Sequence, residues 1–417
     1  MSYTLLKGEF VIRYPDLPRQ GPEPDGDTVK FKPDAPALVE GLPRPTGTPP
    51  KINGRGISTR LEAIDALETH FGDTHQELLG ANAARDELLR LLGFTNVVYF
   101  PDLPNKVQSA DQDTIRGHVL SNGIDGNGRL IAFAFTGEHP GADGSAVFLD
   151  EAGVDRSVNA ALLKNGLAYP AFYATLPASL REHLATASRT ARDGNAGIWP
   201  RATGDPDGSA KIADLQALQQ AVIWPKLFRR LVPYLASGRT TFDGFDAWLR
   251  EDPVNRDDQL FLLQKGEYGN MHDVVRAAGN EIQLTAWPED FIISPDPAPP
   301  GAPVHPRPAA IGDVLIVAAL PDPVGPDGGR ERVTLINTTP SPVNLQDWAL
   351  LDAAGGRHAL SGTLGGGDVH QVTLSGALQL GNAGDALVLT DGAGALVDQV
   401  SYKPEAVLSG RTICFGR

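Results

Sequence analysis

One cysteine in 417 residues, Cys414, leaves the chain without an intrachain disulfide and without a Cys-rich metal site. Such sparing use of cysteine fits a reducing compartment. No apolar run approaches the roughly 18 residues that a membrane-spanning helix needs. The opening MSYTLLKGEF lacks the apolar core of a secretory leader. The expectation is a cytoplasmic protein with no membrane span, with a non-classical export route left open. A basic region is also missing. The net charge is −15, and the acidic excess runs through the whole chain. That excludes a broad cationic face for duplex nucleic acid. Any phosphate contact must come from a few placed arginines or from a bound metal. The histidines offer no metal motif: His70, His75, His118, His139 and His183 show no ligand spacing with cysteine or with one another.

What is present suits globular folding. Hydrophobic residues make up 41% and charged residues 21%, enough to fill cores. At about 100–200 residues per domain, the length implies two to four domains. There is no internal repeat. Pro-rich breaks fall at 33–51 and 294–308, and a softer Pro/Gly/Asp break at 200–211. The segments expected are 1–200, a middle region 201–293 of mixed helix and strand, a linker 294–308, and 309–417. The first mixes strands (8–14, 27–33, 58–66, 129–135) with helices (75–94, 157–168, 178–194). In 75–94, Leu78, Leu88, Leu89 and Leu92 share one side. In the middle region a helical stretch is expected to break at Pro225 and Pro233. The last segment alternates in short strands with Gly turns, the pattern of a β-sandwich.

Three pieces of the first segment carry chemistry: Asp25-Gly26-Asp27-Thr28, the run from Arg60 to Glu68, and Asp125-Gly126-Asn127-Gly128-Arg129. Asp65 closes a strand, Glu68 lies on the turn after it, and Asp27 heads another strand. Carboxylates at strand ends can converge on one point. Two of them with a backbone carbonyl and waters make an oxygen-only site for a hard cation such as Ca²⁺. Glu68 could hold or deprotonate a water. Arg60 and Arg129 could grip a phosphodiester, since a guanidinium matches phosphate in two-point fashion. Singly, each piece has an ordinary explanation. DGD and DGNG are turn sequences, and a lone strand arginine is usually a surface charge. Only their order and spacing together are informative.

In that order the region resembles the staphylococcal nuclease (thermonuclease-like) family. DGDTVKF resembles its first metal-carboxylate strand and RLEAIDALET its R-x-x-x-x-D-x-x-E run. GNGRLIAFAF resembles the strand that opens with its second arginine. SVNAALLKNGLAYPAFY and SLREHLATASRTARDGNAGIWP resemble its closing helices and terminal tryptophan, here Trp199. The resemblance spans most of residues 8–200. It implies an OB-type barrel with helices, and hydrolysis of DNA and RNA with single strands preferred. It also implies Ca²⁺ held by Asp27, Asp65 and the carbonyl of Ala66, with Glu68 acting on the attacking water. Arg60 and Arg129 would bind the scissile phosphate and stabilise the transition state. Phe172 and Tyr173 stand where the family presents a base-contacting aromatic; core packing is the competing role. The chain departs from the pattern at Ala66-Leu67, where the family has Thr-Pro, and at Gly126-Asn127, where it has Lys-Tyr. The stretch 33–51 is long for the family's hairpin and could cover or shape the site.

The run Val343-Asn344-Leu345-Gln346-Asp347-Trp348 and the run 380–391 resemble the lamin-tail domain, an immunoglobulin-like sandwich. That resemblance implies a binding or tethering module, through which a protein partner could attach. Trp348 is expected in its core. The fold class expected overall is multidomain α+β: an OB-type barrel with helices, a mixed middle, and a C-terminal sandwich. The functional expectation is a calcium-dependent nuclease. Its rival is a non-catalytic scaffold, binding nucleic acid or protein, on the same fold.

Overall fold

The computed structural model describes residues 3–44, 47–252, 255–294, 312–325, 327–339, 343–365, 367–392 and 394–415. Apart from Ser294, the Pro-rich linker expected at 294–308 lies outside them. Tyr3–Leu176 and Arg181–Pro300 form one compact unit, and Gly301–Arg417 is the main part of a second.

The first unit is α+β and opens with a five-stranded barrel. Its strands are β1 (Tyr3–Val11), β2 (Thr28–Pro33), β3 (Ile57–Leu61), β4 (Thr114–Ile124) and β5 (Leu130–Thr136). Hydrogen bonding runs β1-β2-β3-β5-β4 and closes because β1 pairs with both β2 and β4. The β3–β5 pair is parallel and the other barrel pairs are antiparallel, which gives an OB-like barrel. Period-two alternation buries Val29 and Phe31 of β2. Gly8 of β1 faces Gly117 of β4 at the closure. A Cβ on Gly8 would stand 2.3 Å from the Lys32 carbonyl oxygen, and one on Gly117 2.5 Å from the Phe10 ring. Closure therefore needs glycine at both.

Three helices follow the expected stretches: α1 (Leu78–Leu92), α2 (Val158–Lys164) and α3 (Ala178–Asp193). In α1 the apolar side differs from expectation. Leu78 is exposed, while Ala81, Ala84, Leu88, Leu89 and Leu92 are buried. Leu78 is the first helical residue after the cap at Glu77, whose carboxylate accepts from Gly80 N at 2.6 Å. It thus precedes the turns that pack.

The middle region adds two three-stranded sheets and the helix α4 (Pro225–Ala236). Pro225 opens α4, where its missing N–H costs nothing. Pro233 does not break it as expected: it sits near the C-terminal end and forfeits only one helical bond. The core is continuous across residue 200. Leu67, Ala81, Tyr169, Ile198 and Trp199 share one cluster with Trp224, Leu227, Phe228, Leu231 and Phe291. The strand Phe291–Ile293 reaches the first segment directly, with Ile293 N donating to Phe172 O at 2.7 Å.

The second unit is an immunoglobulin-like sandwich. One four-stranded sheet has Val314–Leu320 and Arg332–Asn337 at its centre; the other has Ala349–Asp352 and Asp385–Thr390. Trp348 is buried with Leu345, Leu350, Leu387 and Leu389, as its sequence position suggested.

Candidate functional site

The run that carries Arg60 and Asp65 is not one strand. β3 ends at Leu61, and a second short strand, Ala63–Asp65, pairs with Tyr169–Ala171. Ala63, where the second strand starts, adopts φ +71°, a conformation that costs a non-glycine residue about 1 kcal/mol or more. The surroundings hold it there. Asn159 Nδ2 donates to the Glu62 carbonyl at 2.8 Å, and Ala63 is fixed by pairing with Ala171. The turn carries Asp65 to the barrel rim, where its side chain is buried.

Asp27 stands beside it. Its Oδ2 accepts from Ala66 N at 3.2 Å and its Oδ1 from Thr28 Oγ1 at 2.9 Å. Gly26 permits this approach, since a Cβ there would lie 2.5 Å from Ala66 Cβ and 2.7 Å from Ala84 Cβ. Asp25 is buried behind, accepting from Gly26 N at 2.7 Å. Glu68 is placed through its backbone: its N–H donates to Gln76 Oε1 at 3.1 Å, and its carbonyl accepts from Gln76 N at 2.9 Å. Gln76 in turn donates from Nε2 to Ile223 O at 3.0 Å, which fastens the turn to the middle region.

Packed together, the acids disturb one another. Burial raises the Asp25 carboxyl well above the ordinary range, with the charges of Asp27 and Glu68 adding to it. Asp27 is raised by burial and by Asp65, and is pulled back by Arg60, Arg129 and Arg229. Glu68 is pushed up to about 7 by burial, against the opposing charge of Arg229. Asp27, Asp65 and Glu68 thus lie in one electrostatic neighbourhood with both arginines that the sequence singled out.

The two arginines are held differently. Arg60 Nη2 donates to the Tyr173 hydroxyl at 3.0 Å, and its guanidinium lies 4.5 Å from the ring centroid. Arg129 donates from Nε to Asp125 Oδ2 at 2.8 Å, and its backbone N–H bonds Oδ1 of the same residue. The DGNG turn therefore aims Arg129 as well as reversing the chain. The stretch after residue 46 crosses this turn, with Lys51 N donating to Gly128 O at 2.8 Å. A cleft of about 60 Å³ opens between Arg60, Glu62, Asp125, Ile131, Tyr173 and Thr175.

Of the aromatics, Tyr173 lines that cleft but Phe172 does not. Phe172 is fully buried, so its ring is a core element, and the stacking role fails for it as folded. His70 turns to Thr69 Oγ1 at 3.0 Å and to Glu23 at 3.5 Å.

Arg229 of α4 was not singled out by sequence reasoning. Its guanidinium makes a two-point contact with Asp65, with Nη2–Oδ2 at 2.8 Å and Nη1–Oδ1 at 3.1 Å. Nη1 also pairs with Glu68 Oε1. The donor set fits a hard cation, being made of carboxylate oxygens whose mutual repulsion a cation would relieve. As folded, the charge that relieves it is this guanidinium. Among the described residues, no three His, Cys, Asp or Glu side chains are disposed as a ready metal cluster. The one available signal was Lys226, Arg229 and Arg230, spaced to share one face of an apolar helix.

A family model described as the Lamin Tail Domain matches residues 307–404. Residues 307–404 are therefore a lamin tail domain. Among curated proteins, none matches the chain. Among the described residues, no helix is long and apolar enough to cross a membrane.

Proposed function

We propose that the first unit is a calcium-dependent phosphodiesterase acting on DNA and RNA, single strands preferred, with the lamin tail domain as a binding or tethering module for a protein partner. What supports the reading is convergence: Asp27, Asp65, Glu68, Arg60 and Arg129 come from three separate stretches and meet at one rim of an OB-like barrel. Arg60 and Arg129 would hold the two non-bridging oxygens of a phosphodiester and offset the charge that grows as water adds to phosphorus. Glu68, with its carboxyl near neutrality, is suited to take the water's proton. One ester P–O bond then breaks, and the leaving alkoxide is protonated by solvent. A calcium ion held by Asp27, Asp65 and the Ala66 carbonyl would supply Lewis-acid neutralisation of the phosphate. Single-stranded substrate suits an acidic protein whose phosphate contacts are two placed arginines.

The test is incubation of the full chain with labelled single-stranded DNA and RNA, in calcium and in EGTA. Cleavage in calcium only, lost in Arg60→Ala, supports the proposal. Equal cleavage in Arg60→Ala or Glu68→Gln refutes it. A second reading, the non-catalytic scaffold, is favoured by one observation: Arg229 already neutralises Asp65 and Glu68. Binding of single strands without cleavage under all metal conditions would select it.

A further inference from the structure

We infer that Arg229 is a built-in competitor for the cation place, a side-chain gate that must leave Asp65 and Glu68 before a divalent ion can bind at Asp65. The inference rests on the phosphodiesterase reading for the identity of the cation, and deepens it by naming a control on the same site.

The geometry argues for a gate made of one side chain rather than of a whole domain. Arg229 contacts both carboxylates, through three donor–acceptor contacts to Asp65 and one to Glu68. The Asp65 side chain is 2% exposed, so an ion reaching it must take the space the guanidinium holds. The helix beneath is fixed. Leu227, Phe228 and Leu231 are fully buried in the cluster shared with Leu67 and Tyr169. Next to Arg229 on the same helix, Lys226 and Arg230 both pair with buried Asp258 at 2.7 Å, and Arg230 Nε donates to the Arg256 carbonyl at 2.9 Å. Undocking α4 would strand Asp258 and open the core. Swinging Arg229 alone breaks only its own contacts, and its side chain is 21% exposed, which leaves a path outward.

Charge supports exclusion. With Arg229 in place, the site holds its guanidinium near Asp65, Glu68 and Asp27. A divalent ion on the same oxygens would bring two more positive charges against it, so the two cannot share the carboxylates. Released, the guanidinium would be a third arginine beside Arg60, available to a phosphate. Substrate and metal would then open the gate together, because each has an interaction with the open state that the closed state lacks.

The test is metal binding to the full chain, measured by calorimetry with Ca²⁺ and by Tb³⁺ luminescence, in wild type, Arg229→Ala and Arg229→Met. Methionine keeps the apolar stem of the side chain, so loss of charge is read apart from loss of packing. Both variants are expected to bind Ca²⁺ tighter than wild type by about tenfold or more. Adding Asp65→Asn to Arg229→Met should abolish the gain. Unchanged affinity in both variants, or a gain that survives Asp65→Asn, overturns the gate. The two ideas fail separately. If Arg229→Met gains calcium affinity yet cuts no nucleic acid, the gate stands and the phosphodiesterase reading falls. If wild type cuts in calcium and the variants bind it no better, the reading stands and the gate falls.

Discussion

Arg60 and Tyr173 form a single stacked and hydrogen-bonded pair, with the guanidinium 4.5 Å from the ring centroid and the hydroxyl accepting at 3.0 Å. The phenol is tuned by this company. Burial favours its neutral form, but Arg60 and Lys226 outweigh that and draw its pKa below the ordinary value. Tyr173 is thus a positioning residue for Arg60 on the Proposed-function reading. In Tyr173→Phe the ring survives and one hydrogen bond to a charged group goes, worth about 1.5–3 kcal/mol, or roughly ten- to 150-fold in kcat/KM. Tyr173→Ala removes the ring as well and should cost more. Steady-state cleavage of a labelled single strand checks the order. Equal rates in all three proteins would show that Arg60 needs no such support.

Asp125 holds three donors of its own loop: Asn127 N at 2.9 Å, Arg129 N at 2.8 Å and Arg129 Nε at 2.8 Å. Asp125→Ala should lower stability by about 1–2 kcal/mol, since it leaves three part-buried donors of the turn without their acceptor. It should also weaken substrate binding, because Arg129 loses its aim. Thermal melts and KM report the two effects separately. A stable Asp125→Ala with unchanged KM would show that the turn needs no carboxylate.

Much of this was legible in sequence, for identifiable reasons. Barrel strands β1, β2, β3 and β5 and helices α1 to α3 overlap the expected stretches, because local periodicity and ordinary stop signals do not depend on distant residues; β4 (Thr114–Ile124) was not among the strands expected. The acids and arginines of the proposed site could be singled out because their spacing is local to three short stretches. Arg229 was not. It stands on a helix whose apolar face looks ordinary, and its partners Asp65 and Glu68 are more than 160 positions away, as the separations of 164 and 161 show. The kink at Ala63 was missed because alanine carries no turn signal; the conformation is imposed by Asn159 and by pairing with Ala171. For Phe172 the sequence left stacking and core packing both open, because its position beside a half-buried tyrosine does not reveal which ring faces inward.

Glu62 gives a pH test of the fold. Its carboxyl is buried, takes a hydrogen bond from Asn122 Nδ2 at 2.9 Å, and is pushed up to about 8 by burial. The folded state therefore binds more protons than the unfolded state between the ordinary carboxyl pKa and about 8. Stability must fall as pH rises through that window, and level off above it. Glu62→Gln, neutral at every pH, should flatten this slope and be the more stable protein above pH ~8, by roughly 1–4 kcal/mol. Denaturant unfolding from pH ~4 to pH ~9 measures it. Parallel curves for the two proteins would contradict the raised carboxyl.

The account turns on geometry, and a soaked crystal tests that geometry directly. Crystals of the full chain would be exposed to calcium and to a short single strand whose bridging linkage resists hydrolysis. The account predicts an ion on Asp27 and Asp65, a phosphate between Arg60 and Arg129, and Arg229 withdrawn from both carboxylates. An Arg229 still seated on Asp65 and Glu68, with the strand bound elsewhere on the molecule, would contradict it.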